Sequence, residues 1–227
     1  MQAVRLTDSL GLPQAISARF LPEAAPRSAG APLWAVRESA TGVRRWLLYL
    51  EPGESRGTAL AGAFKLLESE HPHLLRLAAA ELEAAEPYLL FHWEGEQPLS
   101  RQLGSPARER AALQLLGTVQ ALQGLPEPVA LPELTLDAVW ALPRTEFVRI
   151  AGLHRAVAGA GVEARRGGRA ACAAILGELL GGAQGRAGLG ETDQDALAAW
   201  ENDGAEAYPA LLTAMQRLHL SGLAADF

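Results

Sequence analysis

The chain is poor in lysine, asparagine and cysteine, with one of each: Lys65, Asn202 and Cys172. A single cysteine excludes an internal disulfide and any thiolate metal cluster, and it fits a reducing compartment, the cytoplasm. Long apolar runs are missing too. Each hydrophobic stretch is broken by Arg, Glu, Pro or Gly before reaching the roughly 20 residues a membrane helix requires. No membrane span is therefore expected, and with no apolar stretch after Met1, no signal peptide. Basic charge is in deficit. The formal net charge of −6 argues against a general nucleic-acid binder, which carries a basic face.

What is present is a foldable composition. Of 227 residues, 49% are hydrophobic, enough for one domain or two small lobes that bury roughly 70% of their unfolded surface. The 19 arginines, with abundant Ala, Gly and Leu, read as the codon bias of a GC-rich bacterial genome.

Strand signals dominate the first half. Residues 1–30 form a lead-in interrupted by Pro13, Pro22, Pro26 and Gly30. A strand is expected at 33–38, then a hairpin turn at Thr41-Gly42 and a second strand at 43–50 ended by Pro52-Gly53. Residues 56–70 switch to helical spacing, with Leu60, Ala63, Phe64 and Leu67 on one face, until Pro72 breaks the helix. Strands are expected at 74–77 and 88–93 around a turn at Glu86-Pro87.

Helices dominate the second half. Ser105-Pro106 has the chemistry of a helix start, and Ala112, Leu115, Leu116, Val119 and Leu122 form the stripe of the helix it opens. Gly124 and Pro126 stop that helix. Short strands follow at 138–142 and 147–150. Cys172, Ile175, Leu176, Leu179 and Leu180 mark a further helix, and Leu211, Leu212, Met215 and Leu218 mark another that ends at Gly222. The Gly-rich stretch 181–192 reads as a flexible connector, because no strand precedes it as a phosphate cradle demands. The order is α+β, without β-α-β alternation.

Few residues carry obvious chemistry. His71 and His73 have a spacing that suits metal ligation on a strand, but no third ligand accompanies them. Ser100, Ser105 and Ser221 lack a glycine elbow. Cys172 lies on an apolar stripe and reads as a buried small hydrophobe.

Three segments carry more information together than apart. They are His71-Pro72-His73-Leu74-Leu75-Arg76-Leu77, then Pro87-Tyr88-Leu89-Leu90-Phe91-His92-Trp93, then Leu131-Pro132-Glu133-Leu134-Thr135-Leu136-Asp137-Ala138. Their order and spacing resemble those of the protein kinase fold family. The resemblance implies a two-lobe α+β fold: an antiparallel sheet with one helix at 31–95, and an abbreviated helical lobe at 96–227. Phe91-His92-Trp93 falls at the hinge, and Pro98-Leu99 at the start of a short helix. The third-strand lysine slot falls on Leu48 or, one residue out of register, Tyr49. The glutamate that clasps that lysine falls near Gly62. The catalytic base aspartate becomes Glu133, the loop lysine Thr135 and the metal-binding asparagine Ala138, while the magnesium aspartate becomes Ala151 in one register and is deleted in the other.

What remains is the kinase cadence without its chemistry. Phosphoryl transfer depends on metal ions and donors that neutralise developing charge. Two alanines offer magnesium no oxygen. Each lost contact costs on the order of 3 kcal/mol of barrier, so the resemblance implies a pseudokinase: not an enzyme, with no cofactor or metal, and acting as a scaffold or regulator on another protein. An alternative is a small-ligand sensor that uses the inter-lobe cleft without metal. Lys65 or arginines are its candidate contacts, although Lys65 also reads as a solvated helix lysine. A second alternative is an unrelated α+β interaction protein. A five-stranded antiparallel sheet carrying one helix, between about residues 33 and 93, is the pattern that separates these readings from the last.

Overall fold

A computed structural model describes residues 12–24, 32–53, 55–99, 108–142, 145 and 147–225. Its first elements come from the lead-in, which holds a single helical turn, α1 (Gln14–Ser17), and a strand, β1 (Phe20–Ala24). Pro22 does not prevent this strand. β1 lies at the edge of the sheet, and its register shifts between Pro22 and Ala24, the setting in which a strand tolerates proline.

β1 pairs with β2 (Leu33–Glu38), which forms a hairpin with β3 (Arg44–Tyr49). Gly42 at the hairpin turn takes φ +71°, a conformation glycine reaches without a Cβ penalty. The helix α2 (Arg56–Glu68) follows, then β4 (Leu77–Glu81) and β5 (Tyr88–His92). All pairings are antiparallel, in the order β1-β2-β3-β5-β4. The expected five-stranded sheet with one helix is present. It begins at residue 20, because the lead-in supplies the first strand.

Strand alternation sorts this sheet into two apolar faces. Leu33, Ala35, Trp46, Leu48, Leu89 and Phe91 join the main core beneath α2. Trp34, Val36, Leu47, Tyr49, Tyr88 and Leu90 form a second core, closed by Leu12 and Ile16 around α1 and by Phe20.

One strand is displaced from its expected place at 74–77. Leu74 and Leu75 are buried, and Leu74 makes only an isolated parallel bridge to Ile150. The strand instead starts at Leu77 and runs through Ala78, Ala79 and Ala80. Alanine is a poor strand former, but pairing with β5 overrides that weak preference.

The rest of the chain is a small three-stranded sheet and a helical body. β6 (Gln97–Pro98), β8 (Val139–Ala141) and β9 (Val148–Ile150) form the sheet, in the order β6-β8-β9, and β7 (Val129–Ala130) pairs with β10 (Val157–Ala158). Pro98 thus sits in a strand, paired with Trp140, and of the helix start expected at Pro98-Leu99 only Leu99 is in 3₁₀ conformation. The proline ring lacks only a donor, and Pro98 lies on an edge strand. The helix α3 (Arg108–Gln123) packs on α4 (Val162–Gly181) and on α6 (Tyr208–Ala225). The expected cap at Ser105-Pro106 lies outside the described residues.

The Gly-rich stretch is ordered. Residues Gly182–Gly188 form a 3₁₀ helix folded back on α4, and α5 (Glu191–Asp203) follows. Gly177 makes this return possible, since a Cβ there would lie 3.0 Å from the Arg186 nitrogen. The helix α5 is polar in sequence, yet it buries Leu197 and Trp200, and the Trp200 indole donates to Gln120 Oε1 on α3 at 3.1 Å. α6 continues past Gly222 to Ala225, because one glycine costs a helix only about 1 kcal/mol. Among the described residues no helix is long and apolar enough to cross a membrane.

Candidate functional site

Of the residues singled out in the sequence, Leu48, Gly62, Ala138 and Ala151 lie at the junction between the five-stranded sheet and the second half of the chain. Leu48 and Tyr49 point to opposite faces of the sheet. Leu48, fully buried, faces α2 and shares the main core with Ala138 and Ala151. Tyr49 lies in the other core, where its hydroxyl donates to Glu86 Oε2 at 3.2 Å. Burial and the Glu86 charge push that phenol up from its ordinary value. Of the two residues, Leu48 is the one whose side chain faces the α2 side of the sheet.

At Gly62 α2 comes close to the second half of the chain. A Cβ there would stand 2.6 Å from the Ala156 carbonyl oxygen, so the helix rests directly on backbone. Ala156 follows a 3₁₀ turn at Leu153–Arg155, which also packs against α2.

Ala138 and Ala151 are neighbours. The Ala151 N–H donates to the Ala138 carbonyl at 2.7 Å, and both methyls are buried. Thr135 is exposed ahead of a 3₁₀ turn at Leu136–Ala138. Glu133 is also exposed and pairs with Arg155 at 3.0 Å, an arrangement worth at most about 1 kcal/mol in water. Lys65 does not reach the junction. Its ammonium pairs with Glu127 at 3.1 Å, and both side chains are more than half exposed.

Four residues that sequence reasoning missed fill the space between the sheets. Trp46, two positions before Leu48, is stacked on Trp93 with centroids 4.1 Å apart and meets the edge of Trp140 at 4.6 Å. Trp140 lies two positions after Ala138, and its indole donates to the Asp137 carbonyl at 2.9 Å. Beside these rings Glu96 is fully buried. It accepts from the Trp46 indole at 3.1 Å, from the Glu94 N–H at 3.0 Å and from Arg149 at 3.2 Å. Arg149 also pairs with Glu94 at 3.0 Å. Desolvating such ions costs several kcal/mol, which only this full set of partners offsets. No local signal in the sequence connects positions 46, 96, 140 and 149. Their meeting depends on the docking of two sheets.

The histidines serve packing. The His73 ring stacks on Phe147 at 4.3 Å, with its Nδ1 2.8 Å from the Val148 carbonyl. His71 Nδ1 accepts from the His73 N–H at 3.3 Å. Burial lowers the pKa of both. It lowers that of His154 further, to about 4, with help from the adjacent Arg155 charge. Cys172 is fully buried, and burial pushes its thiol well above the ordinary range. Among the described residues no three His, Cys, Asp or Glu side chains cluster as metal ligands would. No family model matches the chain, and no curated protein matches it significantly.

Proposed function

We propose that this chain is a protein-kinase-like domain that does no phosphoryl transfer and acts instead as a protein-binding scaffold or allosteric regulator. The observation that carries the reading is the Ala138–Ala151 pair. These alanines occupy the slots that the kinase resemblance assigns to the two metal-holding residues, and they adjoin each other through a 2.7 Å backbone bond. A kinase would bring two oxygen ligands together there; this chain brings two methyl groups. The sheet order, with one helix between the third and fourth strands, supports the same reading.

The indoles of Trp46 and Trp140 add steric weight. They touch in the space between the third strand and the 131–138 loop, where a nucleotide in an inter-lobe cleft would lie. Lys65, a candidate contact of the sensor alternative, pairs with Glu127 on the surface. Both points favour a protein partner over a small ligand.

The test has two arms. Incubation with labelled ATP, magnesium and a mixed peptide substrate should give no transfer above blank. Thermal shift with nucleotides, with and without magnesium, should show no stabilisation. Transfer above blank overturns the reading, and a nucleotide-dependent shift moves it to the sensor alternative.

A further inference from the structure

One concave surface of the molecule opens beside the junction and shares only Arg149 with the cluster described there. A groove of about 640 Å³ lies between the C-terminal half of α2 and the segment that leads into β4. Its volume falls within the roughly 300–1,000 Å³ typical of binding clefts. Phe64, Leu67 and Phe147 give it an apolar lining, and Glu68, Glu70, Arg76 and Arg149 contribute charge. Arg149 is only 9% exposed, and its Nε–H is buried with no acceptor among the described residues. A buried donor in that state is costly unless an acceptor arrives.

The groove runs out at Arg76 and Leu77, where β4 begins. β4 is the last strand of its sheet, so half of its N–H and C=O groups face away from β5. Edge strands are usually blunted by lysine, proline or a covering element. β4 reads Leu-Ala-Ala-Ala-Glu, with Ala78 and Ala79 exposed. A bulge between Leu77 and Ala79 is its one visible irregularity. Around this edge the carboxylates Glu68, Glu70, Glu81 and Glu83 outnumber the exposed cations Arg19 and Arg76. Glu68, Glu70 and Glu83 form no ion pair or side-chain hydrogen bond among the described residues. Glu81 has only a long contact to Arg19, at 3.6 Å.

We propose that the groove and the open edge of β4 together dock an extended, basic and apolar segment of another protein. The segment adds as a further antiparallel or parallel strand beside β4. It seats one large apolar side chain against Phe64, Leu67 and Phe147, with a main-chain carbonyl accepting from Arg149 Nε. Its lysines or arginines face Glu68 and Glu70. The inference rests on the binding-module reading and gives that module a surface and a class of partner.

The probe is a labelled peptide that alternates valine and phenylalanine with lysine. Its controls are a version with glutamate in place of lysine and a version with central prolines. Binding is read by fluorescence anisotropy, and its location by amide hydrogen exchange. The lysine peptide should bind and protect amides 77–81. Both control peptides should bind at least about tenfold more weakly. The E68Q/E70Q variant, which alters only exposed carboxylates, should lose several-fold in affinity for the lysine peptide. A79K, on the exposed edge, should lose binding while its thermal melt stays unchanged.

No binding, equal binding of the proline version, or unchanged exchange at 77–81 overturns the proposal. Protection at 77–81 that rises with protein concentration in the absence of peptide assigns the edge to a second copy, and also overturns it. The two readings fail separately. Capture of a partner that leaves 77–81 unprotected removes this site alone, whereas ATP-dependent transfer removes the pseudokinase reading and leaves the groove.

Discussion

Two glycines in α2 should respond to alanine with opposite signs. A Cβ added at Gly57 would meet nothing within 4 Å, whereas at Gly62 it would meet the Ala156 carbonyl oxygen at 2.6 Å. Ordinary contact begins near 3.4 Å, and the obstacle is backbone, which cannot rotate away. Both positions are helical, so alanine brings the same propensity gain of up to about 1 kcal/mol, and less in the first turn. At Gly57 that gain stands alone, and Gly57→Ala should stabilise by roughly 0.5 kcal/mol. At Gly62 overpacking costs about 1–3 kcal/mol, so Gly62→Ala should destabilise by about 1–2 kcal/mol net. Urea titration followed by circular dichroism measures both, with unchanged m-values required for the comparison. If Gly62→Ala stabilises the fold as Gly57→Ala does, the close seating of α2 on residues 153–156 is wrong.

Further outcomes follow from the junction and the buried groups. Glu96→Ala leaves Arg149 with Glu94 alone and the Trp46 indole without its acceptor, so it should cost about 3 kcal/mol in urea unfolding; a loss below about 1 kcal/mol counts against the buried network. Cys172 should resist a thiol reagent under native conditions and react at once in denaturant, and fast native labelling contradicts its burial. His154 is held neutral in the fold, with its pKa lowered from 6.5 to about 4. The unfolded chain therefore binds the extra proton first, so stability is full above pH 6.5 and declines as pH falls toward 4. The slope from this group is no more than about 1.4 kcal/mol per pH unit, and His71 and His73 act in the same direction. Urea midpoints across that range should show the decline, and His154→Gln should flatten it; an unchanged profile in the variant rules His154 out as its source.

Local pattern was enough to place much of the architecture. Alternation in 33–38 and 43–50 marked β2 and β3, because one-residue steps decide which face each side chain takes. The 3.6-residue period marked α2, α3, α4 and most of α6, because a buried stripe must recur on one face. The restriction of lysine and asparagine to one position each was also legible in the sequence alone.

Tertiary packing decided the rest. β4 moved onto alanines because β5 offered a partner and Leu74 and Leu75 were needed in the core. The lead-in became a strand because β2 had an open edge. The Gly-rich stretch folded back because its glycines let backbone approach α4. Leu48 and Tyr49 were separated only by which face met α2. The indole and Glu96–Arg149 cluster joins positions up to about a hundred residues apart, and such contacts leave no local trace, since their free energy appears only when the two sheets meet. Composition and period are properties of neighbours along the chain; the junction and the groove are properties of surfaces the chain makes only after it has folded.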